Sequence, residues 1–152
     1  MVTAAALDLR AVVAGVVDPE IPVLTIEDLG ILRSVEEDSG RVVVTITPTY
    51  SGCPAMRQIE DDIEIALRSH GVDDFEIRVS HLPAWSTDWL TDAGREKLAA
   101  FGIAPPTPAA EVICPRCDSA RPRMIARFGS TACKALMVCS SCGEPFDYFK
   151  QF

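Results

Sequence analysis

The fold is organised around the stretch Thr47-Pro48-Thr49-Tyr50-Ser51-Gly52-Cys53-Pro54-Ala55, which joins a run of β-branched residues to an amphipathic segment. Proline is favoured at the first position of a helix, so Pro54 in that position makes Cys53 the N-cap residue. Backbone N–H groups and the positive end of the helix dipole then face the sulfur, lower the thiol pKa and favour the thiolate. Cys53 is therefore a candidate functional thiol. The alternative is that it is a small buried apolar residue.

The segments on either side of Cys53 predict a strand, a helix and a second strand. Residues 41–47 alternate in polarity, residues 54–69 have apolar side chains at spacings of three and four, and residues 75–79 alternate again. This order makes a βαβ crossover with two parallel strands. Ligands of open α/β sheets collect beyond the carboxyl ends of such strands, where Cys53 and the loop at 81–85 lie. Trp85 in that loop either lines the crevice or is a core aromatic. His81 is either a base in the site or an ordinary residue at the end of a strand.

The remaining elements of the first part are two helices, a hairpin and an acidic loop. The patterns predict helices over 8–16 and 92–101, a strand over 31–35 and a hairpin turn at 36–40. Asp18, Glu20 and Asp28 belong to a loop with two prolines, and acidic loops of this kind usually face solvent. The expected fold class is α+β, a small α/β sandwich with a βαβ crossover, followed by a small zinc ribbon.

Composition excludes several classes of partner. The 152 residues are 48% apolar and carry a net charge of −8, which argues against a nucleic-acid or anionic-membrane surface. No apolar run approaches the roughly 20 residues of a membrane span, and residues 1–14 lack the form of a signal peptide. We therefore expect a cytoplasmic protein. Six cysteines in that compartment indicate metal binding or catalysis rather than disulfides.

A proline-rich linker, residues 104–110, predicts a domain boundary. Residues 1–103 form the expected first domain and residues 111–152 the second. The chain up to residue 110 has 8 basic and 18 acidic residues, whereas the remainder has 6 basic and 4 acidic. A tail of about 40 residues is too small to bury an adequate core without a covalent or metal staple.

Two CxxC motifs supply that staple: Cys114-Pro115-Arg116-Cys117 and Cys139-Ser140-Ser141-Cys142. Two such pairs on facing hairpins provide the four thiolates of a structural zinc site, with iron of rubredoxin type as the alternative. If all four thiolates bind, the site has no open position for catalysis. Cys133 is left over, and it either packs inside the ribbon or lies near the first domain and cooperates with Cys53.

The motifs together resemble a known family. The following segments are similar to the iron-sulfur cluster assembly factors of the SufT type: Asp18-Pro19-Glu20, Asp28-Leu29-Gly30, Thr47-Pro48, Ser51-Gly52-Cys53-Pro54 and Pro83-Ala84-Trp85-Ser86. The tail resembles the extension of the phenylacetate-degradation protein D (PaaD) branch, through Phe128-Gly129-Ser130-Thr131-Ala132-Cys133-Lys134 and Glu144-Pro145-Phe146-Asp147-Tyr148-Phe149-Lys150.

This resemblance implies an accessory, non-enzymatic protein of the multicomponent phenylacetyl-CoA epoxidase that assists maturation of its reductase or oxygenase component. It implies that Cys53 is the iron or iron-sulfur ligand, surrounded by Asp18, Glu20, Asp28, Thr47, Ser51 and Trp85. The chain departs from the family at one point: His81-Leu82 stands where relatives tend to carry an acid. The resemblance therefore supplies no acidic partner for Cys53 from that loop.

Three functions are compatible with these residues. A cluster needs about four cysteine ligands, so a maturation factor using Cys53 would borrow ligands from a second copy of the chain, as a homodimer, or from its client. Alternatively, Cys53 is a nucleophile with His81 as its base, acting on an acyl-thioester of the same pathway. In the third case the zinc ribbon is a protein-docking module and Cys53 is inert.

Overall fold

The computed structural model describes residues 7–152, which form helices and two β-sheets. In chain order the elements are α1 (Leu9–Ala14), α2 (Ile26–Leu29), β1 (Leu32–Asp38), β2 (Arg41–Ile46), α3 (Ala55–Ser69), β3 (Phe75–Val79), α4 (Asp92–Ala100), β4 (Ile103–Ala104), β5 (Pro122–Ala126), β6 (Lys134–Cys139) and β7 (Pro145–Phe149). The predicted α+β class is confirmed.

The predictions about targeting and membranes concern the start of the chain and its apolar runs. The prediction for residues 1–14 falls partly on residues 1–6, which lie outside the described residues. From residue 7 onward, no helix combines the length and the apolarity needed to cross a bilayer.

The first sheet has the strand order β1-β2-β3 and contains the predicted crossover. The strands β1 and β2 are antiparallel and joined at Ser39 and Gly40, whose φ angles of 52° and 83° suit a two-residue hairpin turn. The strands β2 and β3 are parallel, with Val44 opposite Ile77, and α3 connects them. The inner face of α3, which includes Ile59, is buried in the same apolar core as β2. The carboxyl ends of β2 and β3 therefore lie at one edge of the sheet.

The helix after β2 begins one residue later than the sequence predicts. Pro54 is the N-cap and has helical angles, with φ −68° and ψ −20°, and its side chain makes no capping hydrogen bond. Cys53 is consequently the residue before the cap. Proline φ is fixed near the helical value, so Pro54 fits the cap position as well as the first turn.

The second sheet has the order β4-β7-β6-β5, in which β4 is parallel to β7 and the other pairs are antiparallel. The structure differs here from the predicted linker of residues 104–110. Ile103 and Ala104 pair with β7, and a 3₁₀ turn occupies Ala109–Glu111. The short strand is possible because the prolines begin only after Ala104. The division of the chain into domains of residues 1–103 and 111–152 stays a prediction.

The ribbon sheet has a small apolar cluster of its own and also contributes residues to the core of the first sheet. Phe149 of β7 is 1% exposed and belongs to the same buried cluster as the residues of α3 and β2. Its ring lies 6.1 Å from that of Trp85, centroid to centroid. Cys133, just before β6, is buried in this cluster as well. The ribbon is therefore packed against the first half of the chain.

The acidic loop contains a short helix that the sequence patterns above do not predict. Thr25 and Asp28 cap α2 reciprocally, each side chain accepting a hydrogen bond from the other's backbone N–H. The capping-box spacing in the sequence would have revealed it. Lys97 of α4 lies 2.6 Å from the Asp28 carboxylate. Burial opposes ionisation of Asp28, but the hydrogen bonds from Lys97 and Thr25 outweigh burial and hold its pKa below the ordinary value.

We predict that Asp28→Asn lowers the free energy of unfolding by about 2 kcal/mol at pH 7, because a buried charged hydrogen bond is lost. The folded-state pKa is depressed, so this stability is present above the ordinary aspartate pKa and is lost as pH falls through the folded-state value. Urea denaturation across the acid range measures the effect.

The matched control is Glu64→Gln, which removes an exposed ion pair with Arg68 at 2.9 Å. Such a pair contributes less than about 1 kcal/mol. Equal losses in the two variants at pH 7 would contradict the role assigned to Asp28.

Candidate functional site

Four of the predicted site residues line one cavity at the carboxyl ends of β2 and β3. Thr47, Ser51, His81 and Trp85 surround a volume of ≈ 300 Å³ together with Pro48, Thr49, Tyr50 and Ala84. The crossover topology places these two loops side by side, as the sequence predicts. Cys53, just before α3, is half-buried and packs against the core next to this loop.

Burial determines the state of the Cys53 thiol. Burial raises its pKa above the ordinary value, and the nearby Glu20 carboxylate raises it further. The Ala55 N–H and the hydroxyls of Tyr50 and Thr49 act in the opposite direction. The lowered pKa predicted from the sequence is therefore wrong, because that prediction considered the helix end and not the burial. These three groups can donate hydrogen bonds to the sulfur once it is deprotonated, which suits a metal ligand.

Tyr50 is a site residue that sequence reasoning missed, although it stands in the quoted stretch. Burial, followed by the charge of Cys53 and then that of Glu20, raises the Tyr50 pKa to about 12. At neutral pH its hydroxyl therefore keeps its proton and can donate a hydrogen bond to the sulfur.

The acidic loop approaches this site, although part of it is buried rather than solvent-facing. Asp18 is 6% exposed, and its Oδ1 accepts hydrogen bonds from the N–H groups of Glu20 and Ile21 at 2.8 and 2.7 Å. Burial raises the Asp18 pKa despite these bonds. Burial and the Asp18 charge raise the pKa of Glu20. Asp18 thus holds the loop that brings Glu20 toward Cys53.

Trp85 satisfies both interpretations drawn from the sequence. It lines the cavity, yet it is 6% exposed and its Nε1 donates a hydrogen bond to the Leu29 carbonyl at 2.8 Å.

His81 is exposed at the rim of the cavity. Within residues 7–152 the hydrogen-bonding groups around the Cys53 sulfur do not include His81, so the geometry does not favour a base and nucleophile pair. The Asp28 carboxylate accepts hydrogen bonds from Lys97 and from the Thr25 N–H, and Asp28 is not among the residues that line the cavity.

The four predicted ribbon ligands converge. The Sγ atoms of Cys114, Cys117, Cys139 and Cys142 all lie within 4.8 Å of one another, and two of the pairs are 3.9 and 3.6 Å apart. A tetrahedral site with Zn–S bonds of about 2.3 Å requires sulfurs about 3.8 Å apart. The N–H groups of Cys142 and Ser141 lower the Cys139 pKa to about 6, which favours the thiolate. The ribbon therefore holds a four-thiolate metal site.

Cys133 does not belong to that metal site. It is 4% exposed, and its Sγ lies 3.0 Å from Thr131 Oγ1. Burial raises the pKa of the Cys133 thiol above the ordinary value. The hydrogen bond with Thr131 acts in the opposite direction, and the charge of Glu20 adds to the increase. Of the two placements expected from the sequence, packing inside the ribbon is wrong, because Cys133 is buried in the core cluster of the first half and not in the ribbon's own cluster.

Comparison with known proteins agrees with both halves of this description. A family model described as "Iron-sulfur cluster assembly protein" matches residues 8–79, and one described as "PaaD zinc beta ribbon domain" matches residues 103–150. An Escherichia coli protein whose name describes it as a putative component of 1,2-phenylacetyl-CoA epoxidase is 46% identical over 150 residues, covering 94% of this chain and 91% of the relative. The chain belongs to the PaaD family.

Two further proteins resemble the first half of this PaaD-family chain. A Porphyromonas gingivalis protein named "Fe-S protein maturation auxiliary factor" is 34% identical over 87 residues, 56% of this chain and 82% of the relative. The crystal structure of a domain of unknown function (DUF59) from Bacillus anthracis matches with a TM-score of 0.55 and 31% identity, over 59% of this chain and 87% of the other. The family assigned from the sequence is confirmed.

We predict that metal removal unfolds the ribbon and disturbs Trp85. Structural zinc contributes roughly 10–16 kcal/mol in small zinc domains, more than the short strands of the ribbon can replace. In Cys139→Ser, the strand carrying Phe149 should loosen, so tryptophan fluorescence should shift to longer wavelength and the bound metal should be lost.

The control is Cys53→Ser, which should keep its ribbon metal and its wild-type fluorescence. A folded Cys139→Ser protein with an unchanged Trp85 environment would contradict the coupling between metal site and core.

We predict that Asp18→Asn is more stable than wild type at pH 7. The folded-state pKa of Asp18 is raised, so wild-type stability declines as pH rises through the ordinary value toward the folded-state value, whereas the amide avoids this loss. Asparagine keeps an oxygen that accepts hydrogen bonds from the Glu20 and Ile21 N–H groups. In the comparison variant Asp18→Ala these N–H groups are unpaired, so its free energy of unfolding should fall by about 1–3 kcal/mol. Denaturant titrations should show that the stability advantage of Asp18→Asn over wild type vanishes at acidic pH. A difference in the free energy of unfolding that does not change with pH would contradict the prediction.

Proposed function

We propose that this PaaD-family protein is an accessory maturation factor of the multicomponent phenylacetyl-CoA epoxidase, and that Cys53 holds iron or an iron-sulfur cluster in transit. The observation that carries the proposal is the placement of Cys53, a half-buried thiol that follows the loop lining the strand-end cavity. The Ala55 N–H, the hydroxyls of Tyr50 and Thr49 and the Glu20 carboxylate lie near its sulfur. The names of its relatives support the two parts of the proposal, because one names the epoxidase and another an iron-sulfur maturation factor.

The chemistry of the site suits a carrier better than a hydrolase. A nucleophilic cysteine requires a base within hydrogen-bond reach, and the exposed His81 is not among the groups bonded to Cys53 in the described part of the chain. A metal cargo needs instead a deprotonated thiol, which metal binding itself produces by displacing the proton. The raised pKa of Cys53 therefore makes metal loading pH-dependent, tighter as pH rises.

The ribbon metal has a separate role. Its four thiolates fit zinc, which we propose as the structural metal that folds the tail. Its ligands all come from one small unit, whereas Cys53 needs further ligands for a cluster. We propose that these come from a second copy or from the client, in the cytoplasm, where the reductase and oxygenase components are the candidates for the client.

The test is co-expression of the epoxidase components with wild type or with Cys53→Ala, followed by measurement of iron and sulfide in each purified component. We expect one component to lose most of its iron when Cys53 is absent, because delivery fails. The ribbon zinc content of the variant serves as the control for folding. Equal iron in every component would contradict the proposal.

A further inference from the structure

Strand β3 has one edge with which no other strand of residues 7–152 pairs. It stands last in the sheet order β1-β2-β3, so its ladder hydrogen bonds go to β2 alone. The Asp74 carbonyl and the Ser80 N–H, on either side of β3, bond to β2 at 3.1 and 2.8 Å. Because backbone groups alternate in direction along a strand, Phe75, Ile77 and Val79 present their N–H and C=O groups to the free edge.

The other long edge strands are protected against further pairing, whereas β3 is not. Strand β1 has a bulge between Leu32 and Ser34 and ends in three acids. Strand β5 has a bulge between Met124 and Ala126 and begins with Pro122, which has no N–H to donate. The pairing of β3 with β2 is regular throughout. A regular edge of this kind is a template for a partner strand.

The charges of β3 are self-complementary about Ile77. Glu76 and Arg78 flank it on the opposite face of the strand, with 35% and 57% of their side chains exposed. When two β3 strands pair antiparallel about Ile77, Glu76 of each copy lies opposite Arg78 of the other. Within one chain these two residues already form an ion pair at 2.6 Å. Pairing of two copies therefore makes a network of four alternating charges.

The inner face of the same edge is apolar. Phe75 and Ile77 are partly buried and pack against the core, whereas Val79 is 40% exposed. The same antiparallel register places Val79 opposite Phe75 of the second copy and Ile77 opposite its own equivalent. Pairing therefore covers apolar surface that a single chain leaves in water.

We propose that the free edge of β3 is a dimer interface, at which two copies of this chain pair antiparallel about Ile77. The two three-stranded sheets then form one continuous sheet. The order of acid and base along the strand selects a second copy as the partner, because it matches its own reverse. The contact is isologous, so its twofold axis closes the assembly at two copies.

This dimer bears on the source of the ligands that Cys53 needs. The strands are antiparallel, so the carboxyl ends of the two β3 strands point away from each other and lie about 14 Å apart along the sheet. One metal centre, with bonds of about 2.3 Å to sulfur, cannot bridge the two crevices. The further ligands then come from the client. This consequence rests on the proposed carrier role, whereas the interface itself does not.

The test is charge reversal, measured by analytical ultracentrifugation of the full-length, zinc-loaded protein over a concentration series. Wild type should approach twice the 16.5 kDa of the chain as its concentration rises. Glu76→Arg and Arg78→Glu should each raise the dissociation constant about tenfold or more, because like charges then face each other at both cross-strand positions. An equal mixture of the two variants is complementary again, so the dimer should return.

The matched control is Glu64→Arg, which also removes an exposed ion pair and should dimerise as wild type does. Retained zinc and tryptophan fluorescence show that each variant is folded. Three results would overturn the interface: a wild type that is monomeric at every concentration, a dimer that the β3 variants leave unchanged, or a mixture that stays monomeric. Cys53→Ala should keep the dimer, so its effect on iron delivery tests the carrier role alone.

Discussion

The packing of Phe149 against Trp85 is the contact on which the relation between the two halves of the molecule depends. Phe149 is the last residue of a ribbon strand, and Trp85 follows the last strand of the first sheet. Burial of a phenylalanine contributes about 1.5–3 kcal/mol, and an aromatic pair adds roughly 0.5–1.5 kcal/mol. The Trp85–Phe152 ring pair at 6.2 Å and the hydrogen bonds between Thr87 and Phe152 reinforce this contact. Together they seat the ribbon so that Lys134 lines the same cleft as Glu20.

The region around Cys133 is built at some cost to stability. A buried carboxylate such as Asp18, with a raised pKa, and a buried lysine such as Lys134 are expensive to remove from water. Apolar residues of the same size would pack at a lower cost in free energy. Ionisable groups with perturbed pKa values of this kind cluster at functional sites.

The parts of the fold that follow from local pattern could be predicted from the sequence, whereas the rest depends on tertiary packing. The alternation in β2 and the apolar face of α3 show as short-range periodicity, and the four ribbon ligands follow from CxxC spacing. The strand β4 was missed because two residues are too few to show a period. The Cys53 pKa shift was predicted in the wrong direction because burial, set by residues distant in sequence, outweighs the donors of the helix end. The place of Cys133 follows from docking of the ribbon, for which no local pattern exists.

Strand β6 has a metal ligand at one end and follows directly on Cys133 at the other. About six residues of extended chain separate Cys133 from Cys139, a span of about 20 Å. Pairing with β5 and β7 on its two sides keeps the strand extended. A metal bound at the Cys139 end would therefore also restrain the Cys133 end, which is buried in the core of the first half. Loss of that metal would be felt about 20 Å away, at the surface where the ribbon meets the rest of the chain.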